Sequence, residues 1–273
     1  WEILNETNIN GIPAANYTRM LKAAYSAIKA VDPTDFVITG GLSPVPTSTN
    51  GMWSAVSYLQ EMYAAGAKGY FDAIGFHPYG WPLLPEDPKS WNGWQIMEDG
   101  IRQTMIANGQ EKVKVWITEI GAPTSGSSSS LTAAQQLAVL EQAIKLAGSS
   151  SWAGPVLWYS YQDKGTSATD TESWYGLIGP NGEKKPAYYL YQQLATHDDA
   201  ILVAEVNFGT VAYFGNGADN VILGGDLDNI LKGAGGNDTI EGGGGDDLIH
   251  GGSGYDVLLG GAGDDTLNGG AGN

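Results

Sequence analysis

From residue 215 to residue 268 one nine-residue pattern repeats without a change of phase, and no other feature of the 273-residue chain restricts its folding as strongly. Gly251-Gly252-Ser253-Gly254-Tyr255-Asp256-Val257-Leu258-Leu259 has the form G-G-x-G-x-D-x-U-x, where U is a large apolar residue; the units opening at Gly242 and Gly260 also fit, and the unit opening at Gly233 nearly does. Ile222, Leu231, Ile240, Ile249, Leu258 and Leu267 all fall on the same position of the unit. A flexible glycine-rich linker has no physical reason to hold that phase. A nine-residue unit with one large apolar side chain cannot enclose it alone, so the units must stack.

The pattern resembles the repeats-in-toxin calcium-binding nonapeptides, and the resemblance implies a parallel β-roll. Each unit would place a Gly-rich turn before a short strand, with successive units on opposite sides and units two apart in contact. Asp238 would then meet Asp256, and Asp247 would meet Asp265, across Ca2+ held by carboxylate and backbone oxygens. Asn220 and Asn229 stand at the aspartate position of the earlier units and should make weaker sites. Residues 201–273 carry eleven acids against Lys232 alone. With so little apolar area they should be disordered without calcium and fold on binding it. The resemblance further implies secretion to the extracellular space by a type I route.

Before residue 201 the composition is different: all nine Trp and twelve of the fourteen Tyr lie there, while 21 of the 40 Gly lie after it. The shift places a boundary near Asp198 to Ile201, giving residues 1–198 as a globular domain, 199–214 as a linker or degenerate first repeat, and 215–273 as calcium-binding repeats. Thirty acids against thirteen Lys and Arg, net -17, argue against a nucleic-acid partner, which needs clustered cations. No apolar run approaches the ~20 residues of a membrane span, and no leader is visible at the start. With no Cys in the chain, thiolate chemistry is excluded, and any reaction must come from carboxylates, three His, hydroxyls or a hard metal.

In the first part, apolar runs at 2–4, 36–39, 73–76, 113–118 and 156–159 alternate with segments of helical period. Tyr17, Leu21, Ala24 and Ile28 mark one helical face, stopped at Asp32-Pro33; Trp53, Val56, Leu59 and either Met62 or Tyr63 mark a second; Met97, Ile101 and Met105 a third. Leu137, Leu140 and Ile144 mark a fourth, opened by Thr132 and Gln135 at capping-box spacing, and Tyr188, Tyr191 and Leu194 a last short one. Such alternation, with nearly continuous apolar strands, is the pattern of an α/β fold with a helix-covered parallel sheet. A doubly wound sheet would bring a Gly-rich phosphate turn after its first strand, and none is present. A (β/α)8 TIM barrel needs about 250 residues. Five strand-helix units ending near residue 198 therefore fit a partial barrel, its strands four to eight, and the chain is expected to be a segment of a longer protein.

On a barrel the polar residues at strand ends share the face where active sites are built. Asn5-Glu6 follows the first run, His77-Pro78-Tyr79 the third, Glu119 ends the fourth and Trp158 lies in the fifth. An apolar strand does not readily bury a carboxylate without a partner, yet two unrelated strand-end glutamates in structural salt bridges account for the residues equally well. Trp1-Glu2-Ile3-Leu4-Asn5-Glu6-Thr7-Asn8 and Trp116-Ile117-Thr118-Glu119-Ile120-Gly121 resemble the strand-four and strand-seven signatures of clan A glycoside hydrolases. Phe71-Asp72-Ala73-Ile74-Gly75-Phe76-His77-Pro78-Tyr79 and Val156-Leu157-Trp158-Tyr159-Ser160-Tyr161-Gln162-Asp163 resemble strands six and eight, in the order found in cellulase-like enzymes near families five and thirty-nine.

The resemblance implies a retaining glycosidase cutting a β-linked polysaccharide without a catalytic cofactor, with Glu6 as acid/base and Glu119 as nucleophile. Asn5 would bind the sugar 2-hydroxyl, Tyr79 would hold Glu119, His77 would line the cleft, and Trp158 would be the aromatic platform. Leu4 and Thr7 depart from the family's Trp and Pro. Residues supplied by strands one to three are absent, so these 273 residues alone are expected to be inactive. Trp81, Trp91 and Trp94 fit either sugar-stacking positions or packing. His197 and His250 lack partners at metal-ligand spacing. Two other readings stay open: a carbohydrate-binding pseudoenzyme, and a calcium-dependent adhesive module carrying a degenerate barrel.

Overall fold

The structure is a computed structural model that describes the whole chain except residues 50, 166, 168, 197–202, 208, 209, 216, 225–227 and 273. His197 and the composition boundary near Asp198 to Ile201 lie outside the described residues. Contacts divide the chain into two compact units, Trp1–Gly176 and Leu177–Asn273. Among the described residues no helix is long and apolar enough to cross a membrane.

The first unit holds one sheet of five strands: β1 (Glu2–Ile3), β2 (Ile38–Thr39), β3 (Ala73–Phe76), β4 (Lys114–Ile120) and β5 (Ala153–Trp158). They lie side by side in chain order and every neighbouring pair is parallel. Parallel neighbours need a crossover, and each is helical: α1 (Ala14–Val31), then α2 (Ala55–Ala64), then α3 (Gly93–Ile96) running through a π-helical stretch Met97–Arg102 into α4 (Gln103–Ala107), then α5 (Ala133–Ser149). The sequence signals account for the ends. α1 stops with Asp32 as its C-cap, and α5 opens with a capping box in which Gln135 N donates to Thr132 Oγ1 at 3.2 Å and Thr132 N to Gln135 Oε1 at 2.9 Å. Trp53 precedes α2, which is capped by Ser54.

The inward residues of β3 and β4, Ile74, Phe76, Val115 and Ile117, are fully enclosed with Tyr17 and Leu21 of α1 and Tyr58, Leu59 and Met62 of α2. Burial of each such side chain contributes about 1.5–3 kcal/mol. The Tyr17 hydroxyl shows how a polar atom is kept there: it donates to Ile3 O at 3.0 Å and accepts from Gly40 N at 2.7 Å, tying α1 to the ends of β1 and β2.

One carboxyl in this unit has no such arrangement. Glu141 of α5 is buried and neither oxygen has a hydrogen-bond partner; burial pushes its carboxyl up to about 8. Because the folded value lies above the unfolded one, the stability linked to this group is complete in acid and is lost between about pH 4 and pH 8. Urea unfolding should therefore show the protein losing a few kcal/mol across that window, with about that much restored near pH 8 by Glu141→Gln. An unchanged pH slope in the variant would show that Glu141 ionises freely.

The second unit contains α6 (Pro186–Thr196), then the antiparallel hairpin β6 (Val203–Asn207) and β7 (Thr210–Phe214), then β8 (Val221–Leu223), β9 (Asn229–Gly235), β10 (Thr239–Gly244), β11 (Leu248–Ser253), β12 (Val257–Ala262) and β13 (Thr266–Ala271). Successive repeat strands alternate between two sheets, ordered β12-β10-β8 and β13-β11-β9-β7-β6. The pairs between repeat strands are parallel and offset by eighteen residues, as in Ile240↔Leu258 and Ile249↔Leu267. β7 pairs with β9 at that same offset, so residues 210–214 occupy the place of a preceding repeat strand. Ile222, Leu231, Ile240 and Ile249 form the buried core, with Leu258 packed against it. The fourth-position glycines are required by space as well as by angle: at Gly254, φ +137, a Cβ would run into the carbonyl oxygen of Gly236.

Candidate active site and candidate calcium sites

The chain leaves β1 through two residues with left-handed backbone, Leu4 at φ 65 and Glu6 at φ 45. For a side chain such as leucine that conformation costs about 1–2 kcal/mol, and strain of this kind gathers at functional sites. Glu6 N donates to Gly41 O at 2.9 Å, and Gly41 N donates to Glu2 Oε1 at 2.8 Å, so the turn is held from the end of β2. Gly41 is also what admits the imidazole, since a Cβ there would collide with His77 Nε2.

His77, directly after β3, is wholly buried. Its Nδ1 lies 3.1 Å from Glu6 Oε1 and 3.7 Å from Glu119 Oε2. Glu119 sits near the end of β4 and accepts a hydrogen bond from the Tyr79 hydroxyl at 3.0 Å. Of the residues singled out from the sequence, Glu6 and Glu119 thus meet at one ring nitrogen of His77, and Tyr79 joins them through Glu119. Asn5 is exposed, and its side chain forms no hydrogen bond among the described residues; its carbonyl accepts from Asn10. Trp158 is half-buried at the end of β5, packed on the core, with its indole N–H enclosed and without a partner.

Burial raises the Glu119 carboxyl, while the charge interaction with His77 and the hydrogen bond from Tyr79 lower it and the Glu6 charge raises it again. Burial therefore works against an ionised Glu119, and Tyr79 is the hydroxyl that opposes it. Burial, followed by the Glu119 charge, in turn pushes the Tyr79 phenol up, so it stays a donor. Removing that donor in Tyr79→Phe should raise Glu119 further and move the acidic limb of any pH–rate profile to higher pH, with a loss of about tenfold at the acid end. An unshifted limb would mean that Tyr79 does not support the charged carboxylate.

The sequence pattern missed the groups behind Tyr79. Tyr79 and Tyr175 pack edge to face at 5.9 Å, Tyr175 and Tyr159 at 5.4 Å, and the Tyr159 hydroxyl donates to Glu172 Oε2 at 3.3 Å. Tyr159 closes the last apolar run, but Glu172 and Tyr175 lie beyond β5, where no periodicity marks them. Of the three tryptophans, Trp94 is enclosed and serves packing, Trp81 is half-buried against the core, and Trp91 is 46% exposed.

In the repeats the sixth-position residues meet as the stacking implies, but through the main chain. Asp256 Oδ1 accepts from Asp238 N at 2.9 Å, Asp265 Oδ1 from Asp247 N at 3.0 Å, and Asp238 and Asp247 accept from Asn220 N and Asn229 N, each at 2.8 Å. The second oxygens of Asp238, Asp247 and Asp256 are enclosed and have no partner. Each shares its place with a carbonyl two units on: a Cβ built at Gly233 would strike both Asp238 Oδ2 and Gly251 O, and one at Gly242 both Asp247 Oδ2 and Gly260 O. At Gly215 and Gly224 the amide oxygens of Asn220 and Asn229 take the carboxylate's place.

Among the described residues no three His, Asp or Glu side chains form a metal cluster; the donors at these turns are one carboxylate with backbone oxygen. Oxygen-only sets of that kind suit Ca2+. Burial raises Asp238 and Asp247, against the hydrogen bonds from Asn220 N and Asn229 N, and the charges of Asp256 and Asp265 raise them too. A bound cation would relieve both the burial and the repulsion. His250 lies in β11 opposite Lys232 and Asn268.

The geometry defines a mixed α/β unit with two strand-end carboxylates, followed by stacked oxygen-lined turns. Residues 214–249, 223–258 and 241–273 match the family described as RTX calcium-binding nonapeptide repeat (4 copies), so the C-terminal segment is built of these repeats. A search of curated proteins finds no match to the chain. The fold is shared with glycoside hydrolases. A family 39 glycoside hydrolase from the gut symbiont Bacteroides cellulosilyticus WH2 aligns with a TM-score of 0.57 and 22% identity, over 76% of this chain and 43% of its own. The family 39 enzyme from Xanthomonas axonopodis pv. citri aligns at 0.52 and 18%, over 76% and 43%. A monomeric beta-xylosidase from Caulobacter crescentus CB15 aligns at 0.50 and 19%, over 71% and 41%. The chain spans less than half the length of these three structures.

Proposed function

We propose that the full-length protein is a secreted, retaining glycoside hydrolase acting on a β-linked polysaccharide, with C-terminal repeats that fold around calcium. The observation that carries the reading is the convergence of Glu6 and Glu119 on His77 Nδ1, at 3.1 and 3.7 Å. Two oxygens that close to one nitrogen can be no further apart than those distances laid end to end. That favours the ~5–5.5 Å of a retaining pair over most of the ~6.5–9.5 Å inverting range.

Glu6 protonates the leaving oxygen and later activates water, and Glu119 attacks the anomeric carbon. Asn5, exposed beside Glu6, takes the sugar 2-hydroxyl, and Trp158 underlies the ring. The five parallel strands act as strands four to eight of a (β/α)8 barrel, with residues 1–198 as its later part and 215–273 as a β-roll. The edges at β1 and β5 are then closed by strands one to three, which also complete the cleft. Unfolded passage through a type I exporter, followed by folding in calcium-rich surroundings, suits a segment with net charge so far from zero.

The full-length protein should be assayed on β-glucan, mannan and xylan, and the first-formed product examined by proton NMR. Retained anomeric configuration is expected, and inversion would defeat the mechanism. A carbohydrate-binding protein without turnover is the second reading, favoured by the upward push of burial on Glu119. Saturable binding with no product on any substrate would establish it.

A further inference from the structure

The nonapeptide motif leaves its fifth position unspecified, yet that residue bridges units in a way the sixth does not. Asp219 Oδ1 accepts from Asn237 N at 2.6 Å, and Asn237 Oδ1 from Tyr255 N at 2.8 Å. On the other sheet Asp228 Oδ1 accepts from Asp246 N, and Asp246 Oδ1 from Asp264 N, both at 2.8 Å. Here the side chain belongs to the earlier unit and the amide to the unit eighteen residues later. At position six the polarity is reversed, since the earlier unit supplies the amide and the later one the carboxylate. Two hydrogen-bond ladders of opposite sense therefore run along the stacked turns.

The two positions also differ in what they leave over. Position six keeps a second oxygen enclosed and unpartnered at Asp238, Asp247 and Asp256. The side chains at position five are exposed, and the bond they form needs one acceptor oxygen, which an amide supplies as well as a carboxylate. Asn237 already does this. Charge at this position is a disadvantage, because Asp228, Asp246 and Asp264 follow one another at the ~4.8 Å spacing of paired strands, and stacked like charges repel.

We propose that the fifth residue is a positioning residue for calcium: a charge-independent acceptor that fixes the register of units two apart and so aligns the carboxylate and carbonyl oxygens, without touching the ion. Its calcium readout rests on the turns being calcium sites; its hydrogen-bond readout does not.

In the full-length protein, Asp246→Asn, Asp246→Ala and Asp247→Asn are to be compared by the calcium midpoint of the strand signal in circular dichroism and by amide exchange at Asp264. Asp246→Asn should keep the midpoint within about twofold or lower it, with the Asp264 amide protected. Asp246→Ala should need about 3- to 10-fold more calcium, the worth of one hydrogen bond, and its Asp264 amide should exchange at least about tenfold faster. Asp247→Asn, which removes a charged ligand, should raise the midpoint further than either. Equal damage from Asn and Ala at 246 would make the charge the active property and overturn the proposal. So would an Ala variant with unchanged midpoint and exchange. If Asp246→Ala does not fold, Asn237→Asp against Asn237→Ala, read at the Tyr255 amide, decides the same question. Should wild type show no calcium response, the calcium reading fails, and exchange at Asp264 still tests the ladder.

Discussion

If Glu119 is the nucleophile proposed above, Glu119→Ala in the full-length protein is expected to lower turnover by about 10^4-fold or more, the scale seen when a covalent nucleophile is removed. The carboxylate would lie beneath the anomeric carbon, held by Tyr79 at 3.0 Å and facing Glu6 across His77. Without it no glycosyl-enzyme would form and an oxocarbenium-like transition state would lose its counter-charge. Glu6→Ala should behave differently. On the proposed roles its loss would remove the proton donor and the base for water, but leave the nucleophile and a space where the carboxylate stood. A small anion such as azide, which needs no general base, should enter there and restore part of the rate on substrates with good leaving groups. The two variants together discriminate roles that either alone would not. Near-wild-type activity in Glu119→Ala would falsify the assignment, and azide rescue of Glu119→Ala rather than Glu6→Ala would exchange the two roles.

Millimolar calcium should produce a large gain in strand signal, and magnesium should not. The turns offer carboxylate and carbonyl oxygens around spaces closed by glycine. Ca2+ accepts six to eight oxygens at 2.3–2.6 Å, whereas Mg2+ demands octahedral geometry near 2.0–2.1 Å and gives up its water reluctantly. Residues 201–273 carry eleven acids against one lysine, so the stacked state without metal sets burial and like-charge repulsion against a small core of Ile222, Leu231, Ile240 and Ile249. Binding energy is then folding energy, and one site at a hundred times its Kd contributes about 2.7 kcal/mol. Asp247→Ala with Asp256→Ala removes two of the three enclosed, unpartnered carboxylate oxygens in the described turns and should shift the transition to at least tenfold more calcium or abolish it. A calcium transition unchanged in the double variant would exclude these residues as ligands.

Much of the architecture was legible before the structure. The runs at 73–76 and 113–118 appear as β3 and β4, the Tyr17 and Leu21 face is the buried side of α1, and the Thr132 capping box opens α5. These features are set by neighbours in the chain, through side-chain period and local hydrogen bonds, so a linear pattern contains them. The eighteen-residue stacking was legible for the same reason, because a repeat imposes one local solution on every unit.

The residues around the site were nameable singly, from a family resemblance. The resemblance also implied that Tyr79 holds Glu119, 40 residues further on, but not that the His77 ring nitrogen meets Glu6, 71 residues away. The left-handed turn at Leu4 and Glu6, the tyrosines 79, 159 and 175 packed in series, and the placing of β7 beside β9 are likewise decided by packing between distant segments. The same holds for the two ladder polarities at positions five and six. The sequence shows an oxygen-bearing residue at both, and only the offset of one turn against the next determines which side chain reaches which amide. By itself the sequence determined the strand-helix order, the repeat and its apolar column, since period and phase are properties of one stretch of chain. The tertiary structure alone decided which carboxylates share one imidazole nitrogen, which turn oxygens stay without a partner and which serve the backbone, because those depend on distances between residues that the chain does not connect.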